Sequence, residues 1–283
     1  MERLKITECP RDAMQGISKF IATEQKIEYI NTLLKVGFDV LDFGSFVSPR
    51  AIPQLADTAQ VIAGLELSKT NTKLLAIVAS KKGGELAAQH NEVTYLGYPF
   101  SFSETFLKKN INKTVEQGHE LTKQFLDICQ KQNKQLLYYL TMAFGNPYGD
   151  TWHEEQIYQW VDKANGLGIK KITLSDITGE STPELISKVY STLTKQYTEI
   201  DFGLHLHTTH TSAQAKVNAA LEAGCRSFDT VLNDKGGCPM TGKELTANLN
   251  TFDFVNYAEQ QNFSINIDKE ILKQAYKQAS KLF

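Results

Sequence analysis

Apolar and polar positions follow two different periods along the chain. Short runs rich in β-branched and aromatic residues, whose side chains alternate between two faces, predict β-strands. Eight such runs occur, at residues 4–7, 39–46, 73–80, 93–100, 135–144, 170–176, 202–208 and 227–232. The longer segments between them carry apolar residues at helical spacing, which is typical of amphipathic helices.

The helical pattern is clearest in residues 24–36, where Ile27, Ile30 and Leu34 share one face. Pro53 fits the first turn of the next helix, because proline lacks an N–H that would need a partner there. The other predicted helices cover residues 52–67, 82–90, 104–130, 153–166, 183–196 and 211–223, and a further amphipathic helix covers 269–283.

Strands and helices that alternate in this way favour an α/β fold, the (β/α)8 TIM barrel. A doubly wound open sheet is the alternative. Such a sheet usually has fewer strands and a glycine-rich first turn, whereas the first predicted strand here leads into Cys9-Pro10-Arg11-Asp12. No linker or internal repeat interrupts the pattern, so we predict one domain over residues 1–283, with an extra C-terminal helix.

The amino-acid composition and net charge argue against a nucleic-acid-binding or membrane protein. The chain has 283 residues, 41% of them hydrophobic and 22% charged, as in soluble globular proteins. Its net charge of −2 provides no basic surface for nucleic acid or a membrane. We see no secretion signal, transit peptide or membrane-spanning run, so we expect a cytoplasmic protein. The four cysteines lack CxxC spacing and are expected to be reduced.

In a TIM barrel, functional side chains gather at the carboxyl ends of the strands. Polar residues occur at these positions after several predicted strands. They are Glu8, Arg11 and Asp12 after the first strand, Asp42, Ser45 and Ser48 at the second, Asp176 at the sixth, His205 and His207 at the seventh, and Cys238 after the eighth.

His205 and His207 are two residues apart, so in a strand both imidazoles lie on one face. Asp12 follows strand one, which is separated from strand seven only by strand eight in a closed barrel, and Asn248 offers an amide oxygen. Nitrogen and oxygen ligands without thiolate suit Mg2+ or Mn2+, and they do not exclude Zn2+, Fe2+ or Co2+. The alternative is that the histidines are ordinary core or loop residues.

Gly236, Gly237 and Pro239 hold Cys238 in a turn that could aim its thiol into the barrel mouth. A thiol in that position can act as a nucleophile or exchange a proton near neutral pH. A buried, inert thiol is the alternative. Arg11, beside a metal, is suited to stabilise a developing enolate, and a structural ion pair is its alternative.

Three carboxylates complete the candidate set. Glu8 and Asp42 are candidates to orient Arg11 or the metal ligands. Asp176 is a candidate for the same task or for a general base. A purely structural role is the alternative for all three.

Motifs along nearly the whole chain carry a resemblance to one family. They are TECPRDAMQ at 7–15, DFGSFVSPR at 42–50 with IPQ at 52–54, FLKKNIN at 106–112, SD at 175–176, GLHLH at 203–207, GGCP at 236–239 and ANL at 247–249. In this order they resemble the 3-hydroxy-3-methylglutaryl-CoA (HMG-CoA) lyases, a family of metal-dependent TIM-barrel enzymes.

The resemblance implies cleavage of the acyl-CoA substrate HMG-CoA to acetyl-CoA and acetoacetate with Mg2+ or Mn2+. It implies that the metal site consists of Asp12, His205 and His207, with Asn248 in or beside it. Arg11 would contact the thioester oxygen, and Cys238 would handle the proton of the acetyl-CoA enolate. Asp12, Asp42, Asp176 and a histidine are the alternatives for the base that takes the proton of the substrate hydroxyl. The residues around the substrate or the ligands would be Glu8, Gln15, Asp42, Ser45 and Asp176. We also expect a homodimer.

Some positions depart from the family pattern and bear on the exact acyl-CoA. Thr208 stands where many members have an acidic residue, Asp42 where several have Glu, and Asn233-Asp234-Lys235 where a glycine-rich stretch is usual. The pathway stays open between leucine degradation, ketone-body formation and a side substrate. A Claisen-type synthase that condenses acetyl-CoA with a 2-oxo acid and a non-catalytic metal- or CoA-binding barrel are the alternatives.

Overall fold

The computed structural model describes residues 2–234 and 247–283. Within these ranges eight parallel strands pair in chain order, and the eighth pairs with the first, so that the sheet closes into a barrel. The predicted (β/α)8 fold is confirmed. The strands are β1 (Lys5–Glu8), β2 (Val40–Ser45), β3 (Lys73–Ile77), β4 (Val93–Ser101), β5 (Gln135–Thr141), β6 (Lys171–Asp176), β7 (Asp201–Leu206) and β8 (Ser227–Thr230).

Helices connect the strands and surround the barrel. They are α1 (Pro10–Gln15), α2 (Thr23–Val36), α3 (Thr58–Ala63), α4 (Lys81–Ala88), α5 (Glu104–Ile111), α6 (Val115–Gln132), α7 (Glu154–Gly166), α8 (Pro183–Gln196), α9 (His210–Glu222), α10 (Thr251–Gln260) and α11 (Lys269–Leu282). In the part of the chain that the structure describes, no helix is both long and apolar enough to cross a membrane.

The helix predicted at 52–67 is broken in the structure. Only α3 is α-helical there, and short 3-10 turns cover Pro53–Leu55 and Leu67–Lys69. The hydroxyl of Thr58 donates to the carbonyl of Leu55 and accepts from the N–H of Ser45 on β2. These contacts fix the chain to the barrel wall at the junction and replace the continuous helix.

The helix predicted at 104–130 divides into α5 and α6. Asn112 has a left-handed φ of 53°, which ends α5. Thr114 then starts α6 with a capping box formed with Gln117. The sequence pattern did not predict two of the helices, α1 and α10. With six residues, α1 is too short for a helical period to show.

Apolar side chains form two layers. The larger layer fills the space between the strands and the surrounding helices. The smaller layer fills the barrel interior and contains Leu75, Ile77, Tyr95, Leu137 and Tyr139. The C-terminal helix α11 packs on α2, and its Leu272, Ala275 and Ala279 belong to the larger layer.

The register of the barrel determines which side chains meet. His205 on β7 lies opposite Ser175 on β6 and Asp229 on β8. Glu8, the last residue of β1, lies opposite Thr230 on β8. The residues that follow β1 and those that end β7 are therefore separated by one strand, although they are far apart in sequence.

A buried ion pair links α2 to α3. Lys26 donates from Nζ to Oδ1 of Asp57 at 2.7 Å and to the carbonyl of Gln54. The substitution Lys26→Met leaves the carboxylate buried without its cation, so we expect the free energy of unfolding to fall by about 3 kcal/mol. Urea unfolding of both proteins measures the difference.

The matched control is Lys123→Met, which removes an exposed ion pair with Glu120 on α6. We expect this change to cost less than about 1 kcal/mol, because exposed pairs are screened by water. An equal loss of stability in the two variants would contradict the assignment.

Candidate active site

A cavity of about 420 Å3 opens at the carboxyl ends of the strands. Its polar wall contains Arg11, Asp12 and Gln15 from α1 and His205 and His207 from the end of β7. The rest of the wall is largely apolar, so water is partly excluded from these charged groups. The structure thus brings together five side chains that the sequence singled out.

Asp12, His205 and His207 form a compact set of possible metal ligands. One ligand atom of each lies within 4.8 Å of the others, and all three residues are buried. The Nε2 atoms of the two histidines are 3.2 Å apart, which fits their predicted position on one face of the strand. Asp12 reaches them because α1 begins directly after β1, with Pro10 in its first turn.

Asn248 completes the group. Its Nδ2 donates to Oδ2 of Asp12 at 2.8 Å, and its backbone bridges to His207. Burial opposes the ionised form of Asp12, but Arg11, the two histidines and Asn248 together hold the pKa of Asp12 below its usual value. The ionised carboxylate and the two imidazoles therefore have the chemistry that a divalent cation requires.

Asp229 is a functional contact that sequence reasoning missed. Its Oδ2 lies 3.1 Å from Nδ1 of His205. Burial disfavours the charged imidazole, but Asp229 outweighs it and raises the pKa of His205. A carboxylate in this place holds the proton on Nδ1 and leaves Nε2 to bind a cation. Strand alternation was the available signal in the sequence. Asp229 is two residues after Ser227 on β8, so both side chains lie on the inward face of the strand.

Arg11 is held from two sides. Its Nη2 and Nε donate to Oδ2 of Asp42 at 2.6 and 3.0 Å. Its Nη1 donates to Asp12 at 3.1 Å and to Gln15 at 3.0 Å, and Gln15 donates in turn to Asp12. A guanidinium fixed by a bidentate carboxylate contact has a defined orientation, so Arg11 keeps one position at the cavity wall.

Burial and ion pairing have opposite effects on the pKa values in this network. Burial raises the pKa of Asp42 to about 6, although Arg11 opposes the shift. Burial also disfavours the charged form of Arg11, but Asp42 and Asp12 outweigh it and raise the pKa of Arg11 above its usual value. At neutral pH the Arg11–Asp42 contact is consequently an ion pair.

Two residues of the predicted site, Ser45 and Asp176, form hydrogen bonds with backbone groups of the barrel and its loops. Ser45 donates from Oγ to the carbonyl of Ile77 at 3.1 Å. The Asp176 carboxylate accepts the backbone N–H groups of Glu180 and Ser181 at 3.1 and 3.0 Å, and Lys216 lies 3.6 Å away. Asp176 thereby organises the loop between β6 and α8. The catalytic role of Asp176 and the place of Ser45 around the substrate or the ligands stay predictions.

Glu8 is fully buried and joins two segments beyond the barrel. It accepts the N–H of Leu232 at 2.7 Å and the hydroxyl of Thr251 at 2.6 Å, and the hydroxyl of Thr230 lies at 3.3 Å. Burial raises the pKa of Glu8 from 4.5 to about 7, although these donors oppose the shift. Glu8 therefore contacts the chain before residue 235 and again after residue 246.

Cys238 and the flanking GGCP motif lie outside the described residues. The nearest described residues still locate the segment's ends. Leu232 follows β8, and Ala247 accepts the N–H of Thr208 at 2.8 Å, just beyond β7. The chain thus leaves and re-enters the described structure at the carboxyl end of the barrel. The role of Cys238 stays a prediction.

Two further cavity residues were not identified from the sequence. Tyr139 and Ser175 line the cavity, and their buried hydroxyls have no hydrogen-bond partner among the described residues. Both lie on strands with their side chains inside the barrel. Period-two alternation along the predicted strands at 135–144 and 170–176 contained this signal, and buried hydroxyls of this kind are available to a ligand.

The chain matches known proteins over nearly its full length. The family model described as HMGL-like matches residues 4–278. The hydroxymethylglutaryl-CoA lyase YngG of Bacillus subtilis is 33% identical over 270 residues, which are 95% of this chain and 89% of that protein.

Solved structures agree with this match. An HMG-CoA lyase from Acinetobacter baumannii, in complex with coenzyme A and 3-methylmalate, has a TM-score of 0.91 and 30% identity, covering 99% of this chain and 91% of that one. The HMG-CoA lyase of Bacillus subtilis has a TM-score of 0.92 and 30% identity, covering 99% and 94%.

The raised pKa of Glu8 predicts a pH dependence of stability. A carboxyl group whose folded pKa is above its unfolded value favours folding at low pH, and this contribution is lost as pH rises through the folded pKa. For a shift from 4.5 to about 7, we expect the free energy of unfolding to fall by about 3 kcal/mol over that window.

The variant Glu8→Gln cannot ionise, so its stability should lack this fall. Urea unfolding of both proteins at several pH values between 4 and 8 measures the difference between them, which removes the contribution of other titrating groups. Parallel pH profiles for the two proteins would show that Glu8 does not titrate in this range.

Proposed function

The chain belongs to the HMGL-like family, and from this premise we propose that it is a carbon–carbon lyase that cleaves HMG-CoA to acetyl-CoA and acetoacetate. One observation carries the proposal: a single oriented guanidinium, Arg11, lies beside the Asp12–His205–His207 set in one cavity. The names of the similar proteins support the same reaction.

We propose that Asp12, His205 and His207 hold Mg2+ or Mn2+, with Asn248 beside them. The fit rests on three buried oxygen and nitrogen donors within 4.8 Å of one another. When bound, the ion would supply Lewis-acid chemistry, which would lower the pKa of a substrate hydroxyl held at this set. Asp229 holds the imidazole of His205 in the orientation that this set requires.

Cleavage moves negative charge onto the thioester oxygen of the leaving acetyl-CoA enolate. Arg11 carries the positive charge that stabilises this oxygen, and Asp42 and Gln15 keep the guanidinium in place. Because these contacts exist before substrate binds, little reorganisation is needed during the reaction.

Two protons must also move. One leaves the tertiary hydroxyl as the carbon–carbon bond breaks, and another is added to the enolate carbon. We propose that Cys238 supplies the second proton, on a segment whose described ends lie at the cavity end of the barrel. Among the four candidates for the base, Asp12 and a histidine line the cavity. Asp42 accepts hydrogen bonds from Arg11, and Asp176 contacts its own loop.

We further propose that residues 1–283 form one lyase domain, that the protein acts in the cytoplasm, and that it forms a homodimer. Light scattering on the purified protein measures its mass in solution.

Mass spectrometry tests the reaction directly. The purified protein is incubated with HMG-CoA and Mg2+ or Mn2+, and we expect acetoacetate and acetyl-CoA in equal amounts. A second incubation contains acetyl-CoA and a panel of 2-oxo acids. Release of free CoA there, with no cleavage in the first incubation, would overturn the lyase in favour of a synthase.

Replacing Arg11 separates charge stabilisation from binding. We expect Arg11→Met to lower kcat by at least about 100-fold, because the lost contact strengthens as the enolate forms. KM should change much less. The control Arg3→Met removes an exposed ion pair with Asp39 at the opposite end of the barrel and should leave kcat unchanged. A change in KM alone would contradict the role of Arg11.

Titration with Mn2+ tests the ligand set. We expect His207→Asn to weaken Mn2+ binding by more than about tenfold, since replacing even an outer partner of a ligand has an effect of that size. Cys238→Ala serves as the comparison and should retain Mn2+ affinity while turnover falls. Unchanged affinity in His207→Asn would disprove the metal assignment.

A further inference from the structure

A second group of ligand atoms lies on the other side of His205. Cys9, His205 and Asp229 are all buried, and one ligand atom of each lies within 4.8 Å of the others. Nδ1 of His205 is 3.1 Å from Asp229, whereas Nε2 is 3.2 Å from His207. The two nitrogens of one imidazole therefore face two different sets of ligands.

The chemistry of the two sets differs in one atom type. Asp12 and His207 add oxygen and nitrogen to His205, which suits Mg2+ or Mn2+. Cys9 and Asp229 add sulfur and oxygen, and thiolate selects Zn2+ or the softer Cd2+ over Mg2+. We propose that Cys9, His205 and Asp229 form a second cation site that is selective for thiophilic divalent metals.

Proton balance couples this site to the first one. When the cation binds, the thiol of Cys9 becomes a thiolate and releases its proton to solvent. The cation also takes the place of the proton on Nδ1 of His205, and that proton moves to Nε2. Protonated Nε2 has no lone pair for a ligand bond, so a thiophilic cation antagonises metal binding at Asp12 and His207. This consequence rests on the proposed metal site of the lyase.

Apolar packing is the competing explanation for Cys9. The side chain packs against Ala13 and Val231, and its sulfur lies 3.7 Å from the carbonyl of Thr7. A residue that only fills space would tolerate replacement by valine and would bind no cation. The two explanations therefore differ in a measurement that does not involve activity.

The experiment titrates Cd2+ into metal-free protein that carries Cys238→Ser, which removes the cysteine of the GGCP motif as a ligand. Binding through sulfur produces a thiolate-to-Cd2+ charge-transfer band in the ultraviolet. We expect a band that saturates at one equivalent of Cd2+. It should disappear when Cys9→Val is added and shift to at least about tenfold higher Cd2+ concentration when Asp229→Asn is added.

Cys225→Ser in the same background is the matched control, because Cys225 is equally buried but belongs to neither set. The band should persist in it. Circular dichroism of each variant confirms folding, and Cys9→Ser provides a second replacement that keeps a polar atom. A band that persists in both Cys9 variants, or no band in the background protein, would overturn the proposal.

Mn2+ bound to the same proteins, followed by electron paramagnetic resonance, tests the coupling. We expect one equivalent of Cd2+ to release Mn2+ from the background protein and to have at least about tenfold less effect after Cys9→Val. If Mn2+ does not bind at all, the proposed lyase metal centre fails while the Cd2+ band still decides the second site. Equal release from both proteins would overturn the coupling.

Discussion

The pairing of β1 with β8 is the contact on which the site depends. Four residue pairs, from Lys5 with Ser227 to Glu8 with Thr230, close the barrel. Closure places α1 and its Arg11-Asp12 dipeptide beside the end of β7, where His205 and His207 lie. Without this pairing, the residues of α1 would not be held beside those at the end of β7. The possible metal site is thus a consequence of long-range strand pairing.

Around this junction the fold gathers more carboxyl groups than cations. Asp12, Asp42 and Asp229 are all buried there, and Arg11 contacts the first two. Burial is costly for each charge on its own, so the groups stabilise one another through bidentate and charge-assisted hydrogen bonds. The oxygen and nitrogen atoms of the possible metal site are therefore already oriented toward one another.

The sequence was sufficient for the barrel and for much of the site, since period-two alternation and the His205-Leu206-His207 spacing report directly on strand faces. It was less informative where tertiary contacts override local pattern. Thr58 breaks a helix by bonding to β2, and Asn112 breaks another through its backbone conformation. Alternation along the strands indicates that Asp229, Tyr139 and Ser175 face the barrel interior, but which side chains meet there depends on the register between strands, which a single sequence does not specify.

The position of Glu8 has a consequence for how this protein can vary. One carboxyl group holds Leu232 and Thr251, which flank the segment that contains Cys238. Glu8 belongs to β1 and not to the segment itself. The distance between the two attachment points, Leu232 and Thr251, is therefore independent of the residues between them. Outside the GGCP motif, a change of sequence or length between residues 235 and 246 therefore leaves these two attachment points on the barrel unchanged.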